Sequence, residues 1–404
     1  MKKINTLTMA VGLGSITALA PLAIDMYLPA LSVIANDFQA TAGDTSLTLM
    51  TFFAGFTLGQ LFYGPVSDRV GRKPVIYGAI SLFIIASIGI MLSRTIGQMI
   101  GWRLVQGLGG SVGMVIAMAM VRDLYTGQTA AKLLAMIMMI TGLAPIVAPI
   151  VGGGILTFSG WKTIFMFFAV FGLFGILWIK LHVPETRMEE LRSISNPAKA
   201  FRHYGHLLAS RSFIPYALTL AFGQGAYFAY IGGSSAVLVD VMGLSPQMYS
   251  VAFGISAIGM AIGAPISARL IGLLGAHRIV KIATAIYALA AFCLLAIECK
   301  FGTSPVVMVA FFFVEMAMMG ALFTNCNMLA MEAHGQISGI AAALIGALGY
   351  GFGAIGNALV GAFDNGTAMP MLLIMSAFTM ACVIHTWVTY REPDIEAVPN
   401  PQHS

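Results

Sequence analysis

Asp25, Arg103 and Glu315 each interrupt an apolar run long enough to cross a bilayer. At the centre of a spanning helix an ionised side chain costs about 2.5 to 3.5 kcal/mol. An acid kept in such a place marks a proton path or a substrate counter-charge by default. Burial and a neighbouring guanidinium push a carboxyl's proton affinity in opposite directions. A conformational change that alters either one therefore turns Asp25 into a switchable proton carrier. Counted back from Ile34 at 1.5 Å per residue, Asp25 lies about 13 Å inside the first run, and Arg103, counted from Ile96, lies about 10 Å inside the fourth. The two are expected to meet. A static ion pair that locks two helices is the competing reading. Glu315 falls near the middle of the tenth run, about ten residues from its end. It is protonated, paired with Arg103 across a cavity, or reached by water.

Aromatic and amide side chains are expected to line the same cavity: Tyr27, Phe56, Tyr227, Tyr230, Asn325 and Asn327. Tyr227 and Tyr230 are three apart and so share a helix face. Packing between helices or against lipid is the ordinary fate of each. Methionines such as Met136, Met138 and Met139 are mostly packing, with some able to form an adaptable surface.

The elements that hold these residues follow from composition. Of the 404 residues 58% are hydrophobic and only 9% charged, against about 25% charged in soluble domains, so the chain is an integral membrane protein. Runs of about 20 apolar residues suffice to cross the hydrocarbon. Twelve occur, near 7–34, 46–67, 74–92, 96–121, 129–158, 161–181, 212–239, 249–274, 279–297, 305–328, 337–363 and 369–389. Met1-Lys2-Lys3 and the following run imitate a secretory signal, with Ala18-Leu19-Ala20 as cleavage pattern. Pro21 in the first mature position and continuation to Leu31 argue for a retained first span.

Basic residues fall unevenly. Arg69, Arg72, Lys73, Arg122, Lys132, Lys180 and Arg187 share one side with Lys2, Lys3, Arg192, Lys199, Arg202, Arg211, Arg269, Arg278, Lys281 and Arg391. The other side holds Arg94, Lys162 and Lys300. This bias puts both termini in the cytoplasm, with the formal charge of +5 facing anionic lipid rather than nucleic acid. The longest polar stretch divides the chain into an amino-terminal six-helix bundle (1–183), a cytoplasmic linker (184–211) and a carboxy-terminal six-helix bundle (212–404). The linker's ends read as helical and its middle, 193–197, does not; it is expected to lie partly along the membrane surface. A shift of 200 residues lays Gly59, Pro65, Val66, Ser67 and Arg69 on Gly259, Pro265, Ile266, Ser267 and Arg269. This is an internal repeat of the kind that brackets a midplane site in transporters. Ala268 stands where Asp68 does, so the second copy lacks the acid.

Gly64, Asp68, Arg69, Gly71, Arg72 and Lys73 resemble the loop between spans two and three of the major facilitator superfamily. Arg103-Leu104-Val105-Gln106-Gly107, with Gly109 and Gly110, is similar to that superfamily's fourth-span motif for proton coupling. Gly142, Ala144-Pro145, Ala148-Pro149 and Gly152-Gly153 resemble the fifth-span motif of its exporters, with alanine for the glycine before each proline. Asp25-Met26-Tyr27-Leu28-Pro29-Ala30-Leu31, Gly160-Trp161-Lys162, Pro184-Glu185-Thr186 and Asn325-Cys326-Asn327 look like the bicyclomycin and chloramphenicol resistance (Bcr/CflA) branch of its drug/proton antiporters.

The resemblance implies an all-α fold of twelve transmembrane helices in two pseudo-symmetric bundles. It implies proton-coupled efflux of small amphipathic antibiotics by alternating access, at the bacterial inner membrane. Proton coupling would rest on Asp25, Arg103 and Glu315. Substrate would be bound by these with Tyr27, Phe56, Tyr227, Tyr230 and Asn325. Asp68 would hold an inner gate shut by pairing with basic groups across the bundle interface. Pro145, Pro149, Gly142, Gly152 and Gly153 would form a hinge or a tight seam. Protons are the coupling ion and no other cofactor is expected; the chain is expected to act as a monomer. Export of an endogenous amino acid or sugar is the alternative.

Other classes find little support. Cys293, Cys299, Cys326 and Cys382 sit in or beside apolar runs without metal spacing and read as buried, inert thiols. Gly351-Phe352-Gly353-Ala354-Ile355-Gly356 matches a dinucleotide fingerprint but lies in an apolar helix with no preceding strand. No Gly-x-x-x-x-Gly-Lys-Ser/Thr loop is present to bind ATP. An enzyme is not expected, and a receptor would usually carry a soluble output domain.

Overall fold

The computed structural model describes residues 5–194, 197–334 and 337–390. Lys2, Lys3 and Arg391, used above for orientation, lie outside them, as does the side chain of Lys199. The regular structure of the described residues is all helical, with no strand among them. In chain order the helices are α1 (Thr6–Asp25), α2 (Leu31–Phe38), α3 (Ala42–Val70), α4 (Arg72–Met91), α5 (Ile96–Gly110), α6 (Val112–Leu124), α7 (Gly127–Phe158) and α8 (Lys162–His182). They continue as α9 (Glu189–Ile194), α10 (Pro197–Ala209), α11 (Ile214–Ser235), α12 (Pro246–Leu274), α13 (Ala276–Phe301), α14 (Pro305–Glu332), α15 (Ser338–Ala362) and α16 (Met369–Thr389). Within the linker α9 runs on to Ile194 and α10 starts at Pro197, so Ser193 and Ile194 are helical and of the expected irregular middle only Ser195 and Asn196 lie outside the described residues.

Eleven helical stretches among the described residues are long and apolar enough to cross a membrane, counting α1 with α2 and α5 with α6 as one each. The twelfth crossing is α11, whose Gln224, Tyr216, Tyr227 and Tyr230 dilute its hydropathy. Large apolar side chains stay exposed along the outward faces, among them Ile85 and Ile88 of α4, Val170 and Leu177 of α8 and Leu289 of α13. In water such patches would drive association; in lipid they are the matching surface.

Two crossings are broken. Pro29 has no N–H to donate to the Asp25 carbonyl and its ring crowds that carbonyl, so α1 ends at Asp25 and a single 3-10 turn, Leu28–Ala30, leads into α2. The first crossing therefore reaches Phe38 rather than Ile34, and Asp25 lies deeper than a continuous helix from Ile34 would put it. The break at Ser111 between α5 and α6 follows Gly109-Gly110, a Gly/Ser sequence of the sort that kinks helices. The seventh crossing ends in a π segment, Ala236–Val241.

The repeat is visible in packing. Gly59 lets α3 close on the carbonyl of Leu108 in α5, and Gly259 lets α12 close on the carbonyl of Phe313 in α14; a Cβ at either would collide. The two halves meet along two seams, α3 against α15 and α7 against α12.

Candidate functional site

Arg103 is fully buried and held entirely by the amino-terminal half. Its Nη1 donates to the Ala23 carbonyl at 3.2 Å and to Gln106 Oε1 at 2.6 Å. Gln106 in turn donates to Ser87 Oγ at 2.8 Å. The guanidinium lies between two rings, 4.5 Å from the Tyr27 centroid and 4.4 Å from that of Phe52, a desolvated cation–π arrangement worth about 2 kcal/mol. Tyr27 is fixed by a 2.7 Å hydrogen bond to Thr48. The expected meeting of Asp25 with Arg103 is not formed, because the chain turns at Asp25 and the Ala23 carbonyl, not the carboxylate, faces the guanidinium. Nε and Nη2 of Arg103 have no hydrogen-bond partner among the described residues.

Asp25 and Glu315 are each 3% exposed. Among the described residues neither carboxylate has an ion-pair partner, and both Glu315 oxygens are buried without a hydrogen bond. Pairing of Glu315 with Arg103 is thus not formed either. Tyr230 of α11 interacts electrostatically with both acids. Its ring packs on Phe253 at 5.6 Å and on Phe312 at 4.3 Å, one turn before Glu315 on the same face of α14. Ser256 lies beside its hydroxyl but donates to the Ala252 carbonyl, and Tyr230 Oη makes no hydrogen bond. Tyr227, Tyr249 and Tyr350 also lie within electrostatic range of Asp25, so this acid of the amino-terminal half is electrostatically linked to tyrosines of the other.

The centre of the α3–α15 seam is aromatic. Phe56 lies 4.2 Å from Tyr350, Phe53 lies 4.3 Å from Phe228, and Phe228 lies 5.1 Å from Tyr350, centroid to centroid. Phe56 and Tyr227 were singled out from sequence; Phe53, Phe228 and Tyr350 were not, since nothing local separates them from lipid-facing aromatics. Asn325 lies elsewhere, its Nδ2 donating to Ser267 Oγ and to the Ala321 carbonyl. Asn327 donates to the Phe323 carbonyl of its own helix.

The loop at residues 68–73 is a charge cluster. Arg72 is buried and bonds Asp68 at 2.8 Å, Asp123 at 3.0 Å and Ser67 Oγ at 2.6 Å. Glu185 accepts from the backbone N–H groups of Arg72 and Lys73 at 2.9 and 3.0 Å, a carboxylate on the amino terminus of α4. Burial pushes its carboxyl up, but N–H donation from Arg187, Arg72 and Lys73, with the Arg192 guanidinium, outweighs this and leaves it below its ordinary 4.5. Arg187 reaches Asp68 at 3.6 Å. Among the described residues Asp68 pairs with Arg72 of the amino-terminal half and Arg187 of the linker, so the expected pairing across the bundle interface is corrected: a linker cation supplies what the other half was to supply. Glu185 and Asp123 were not singled out as gate residues, although Pro184-Glu185-Thr186 was noticed. Arg69 is exposed, Gly71 takes φ +106° at the end of α3, and Gly64 touches Val115 of α6.

The glycine-proline stretch divides by function. α7 continues through Pro145 and Pro149. A Cβ on Gly152 would collide with the Met26 carbonyl, one residue past Asp25, and one on Gly153 would collide with Ser250 of α12. Gly142 touches nothing beyond its own helix. Gly353 and Gly356 of the nucleotide-like run are packing positions, against Phe228 and the Gly225 carbonyl. All four cysteines are free; Cys326 and Cys382 are buried, Cys293 is partly so, and Cys299 is exposed because it stands near the end of α13.

Comparison with known proteins agrees with this architecture. A family model described as Major Facilitator Superfamily matches residues 13–357. An uncharacterized MFS-type transporter YdgK of Bacillus subtilis is 38% identical over 91% of this chain and 92% of its own length. A bicyclomycin resistance protein homolog of Haemophilus influenzae is 30% identical over 96% of each. A chloramphenicol resistance protein of Pseudomonas aeruginosa is 30% identical over 65% of this chain and 62% of its own length. Among solved structures, a D-xylose-proton symporter superposes with TM-score 0.72 at 14% identity over 95% of this chain and 98% of its own. A mutant of the nucleoside transporter NupG superposes with TM-score 0.74 at 13% identity over 95% and 100%. The chain belongs to the Major Facilitator Superfamily of transporters.

Proposed function

We propose that this transporter exports small amphipathic drugs in exchange for protons, at the inner membrane, as a monomer with the face bearing Arg72 and Lys73 in the cytoplasm. The observation that carries the reading is the pair of buried acids, Asp25 and Glu315, neither with an ion-pair partner among the described residues, on either side of Tyr230. A carboxylate in hydrocarbon without a partner is expensive unless it binds a proton or a ligand. The names of the Haemophilus and Pseudomonas relatives, with bicyclomycin and chloramphenicol in them, supply the substrate class. The charge bias, seventeen basic residues against three by sequence position, favours the stated orientation.

In the cycle we infer, Asp25 takes a proton from outside, which weakens drug affinity there, and release of that proton toward the cytoplasm restores a site able to capture drug. Linkage then requires drug binding to promote proton loss. Gly152 of α7 rests on the Met26 carbonyl and Gly153 on α12. Movement along the α7–α12 seam therefore reaches the Asp25 turn directly.

Inside-out vesicles given an imposed pH gradient test the assignment. Asp25→Asn is expected to lower uphill chloramphenicol accumulation at least about tenfold, the effect of about 1.4 kcal/mol, while binding persists. Accumulation equal to the parent's would make the carrier assignment wrong. A parent that moves an amino acid or sugar and none of the drugs would favour export of an endogenous metabolite.

A further inference from the structure

The glycines of α15 accommodate two glutamines, one from each half. Gln60 of α3 lies against Gly346 and Gln224 of α11 against Gly349; a Cβ at either glycine would overlap the amide oxygen. Gly346 and Gly349 are three apart and share a face of α15, so the two carboxamides come to neighbouring turns. Gln60 is 4% and Gln224 7% exposed, and both amide oxygens are buried with no hydrogen bond among the described residues. A buried acceptor without a donor is destabilising, and an exception of this kind asks for a reason.

Register relates the pair to the aromatic cluster. Gln60 follows Phe56 by four residues, Gln224 precedes Phe228 by four, and Gly346 precedes Tyr350 by four, one turn along a common helix face in each case. On all three helices the step runs toward the face bearing Arg72. The amides thus form a floor beside Tyr350, at Gly349, and one turn below it, at Gly346. Because a carboxamide both donates and accepts, this floor suits hydroxyl or amide groups, and the rings above suit a flat apolar body.

We propose that Gln60 and Gln224 are specificity-determining residues that hydrogen-bond the polar end of an uncharged aromatic substrate whose body lies against the ring cluster of Phe56, Phe228 and Tyr350. The proposal rests on the efflux reading and names the substrate class for it. A ligand held by both amides is held by both halves, so it favours the conformations in which they stand at one spacing.

The test measures binding of two probes to the purified full chain in detergent: chloramphenicol, which carries an amide and two hydroxyls, and tetraphenylphosphonium, which is aromatic with no hydrogen-bonding group. Gln60→Met and Gln224→Met keep the chain length of the side chain. Each is expected to weaken chloramphenicol binding about tenfold, the upper range for one hydrogen bond, and to leave tetraphenylphosphonium within about twofold. A thermal unfolding curve like the parent's reports that the variant is folded; Gln→Leu at each site serves if Gln→Met does not fold. Equal loss of both probes, or loss of neither, overturns the glutamine assignment alone. A parent that binds neither probe overturns the efflux reading and the proposal with it.

Discussion

The loop at residues 64–74 and its copy 200 residues later share a backbone plan and differ in their charges. In both, a serine near the helix end, one turn before it in the first copy and two in the second, bonds the carbonyl three residues back, Ser67 to Gly64 and Ser267 to Ala264, each at 2.8 Å. Both helices end on a glycine with positive φ, Gly71 at +106° and Gly275 at +75°. The serines then part company: Ser67 accepts from Arg72, Ser267 from Asn325. The first copy gathers Asp68, Asp123, Arg72 and Glu185; the second has an exposed Ala268 in place of the acid. Chain connectivity accounts for the difference. Glu185 comes three residues after α8, close enough to lie on the start of α4, and a single linker can cap only one of the two copies. Glycine and serine preserve the plan of a duplicated fold, while its electrostatics depend on what the chain brings alongside.

The largest effect should separate the two copies by stability. Removing one partner of a buried ion pair costs about 3 to 5 kcal/mol. Because the side chains of Asp68 and Asp123 are 41% and 18% exposed, water screens them once they are unpaired and the figure falls to about 2 kcal/mol. Arg72→Met should lower unfolding stability by that amount in detergent, read from thermal or denaturant curves. Arg269→Met, at an exposed position of the second copy, should stay within about 0.5 kcal/mol. A loss as large at 269 would erase the distinction.

Both copies show what a sequence reader can and cannot see. The twelve crossings were legible because length and hydropathy are local properties; α11 was the weakest because Gln224 and its tyrosines face the other helices rather than lipid. Asp25, Arg103 and Glu315 announced themselves as charges inside apolar runs. Their pairing did not, since the depth count assumed an unbroken helix and Pro29 breaks it at Asp25. Pro29, four residues after Asp25, was the available signal. Glu185 was quoted for resemblance only, because its donors are 112 and 113 residues away in sequence. Phe53, Phe228 and Tyr350 are ordinary aromatics until α3, α11 and α15 converge.

A smaller effect should come from the Glu185 cap, and its pH dependence has a definite sign. The folded carboxyl lies below its ordinary 4.5, so the contribution is fully present above that value and is lost as pH falls through the folded one. The stability gap between the parent and Glu185→Gln should stay constant from about pH 8 to about 5.5 and shrink below about 4.5. A gap that instead closes between pH 6 and 7 would mean that some other group carries the capping, and that the first copy owes its order to something besides the linker.

The smallest effect concerns whether the acid can be moved. Asp68 is well exposed, and without its charge Arg72 keeps Asp123 and Ser67, so Asp68→Asn should alter stability by less than about 1 kcal/mol. Its effect belongs to turnover. Arg187 of the linker also reaches Asp68, and a weakened link between α3 and the linker should lower the initial rate of proton-driven uptake into inside-out vesicles severalfold while drug binding stays as in the parent. Adding Ala268→Asp to that variant supplies the second copy with the missing acid. Position 268 is exposed and its neighbour Arg269 points elsewhere on the helix. Stability should change by no more than about 0.5 kcal/mol and the rate should stay low. Recovery of the rate would mean that an acid in either copy suffices, and that the linker is not what makes the two loops unequal.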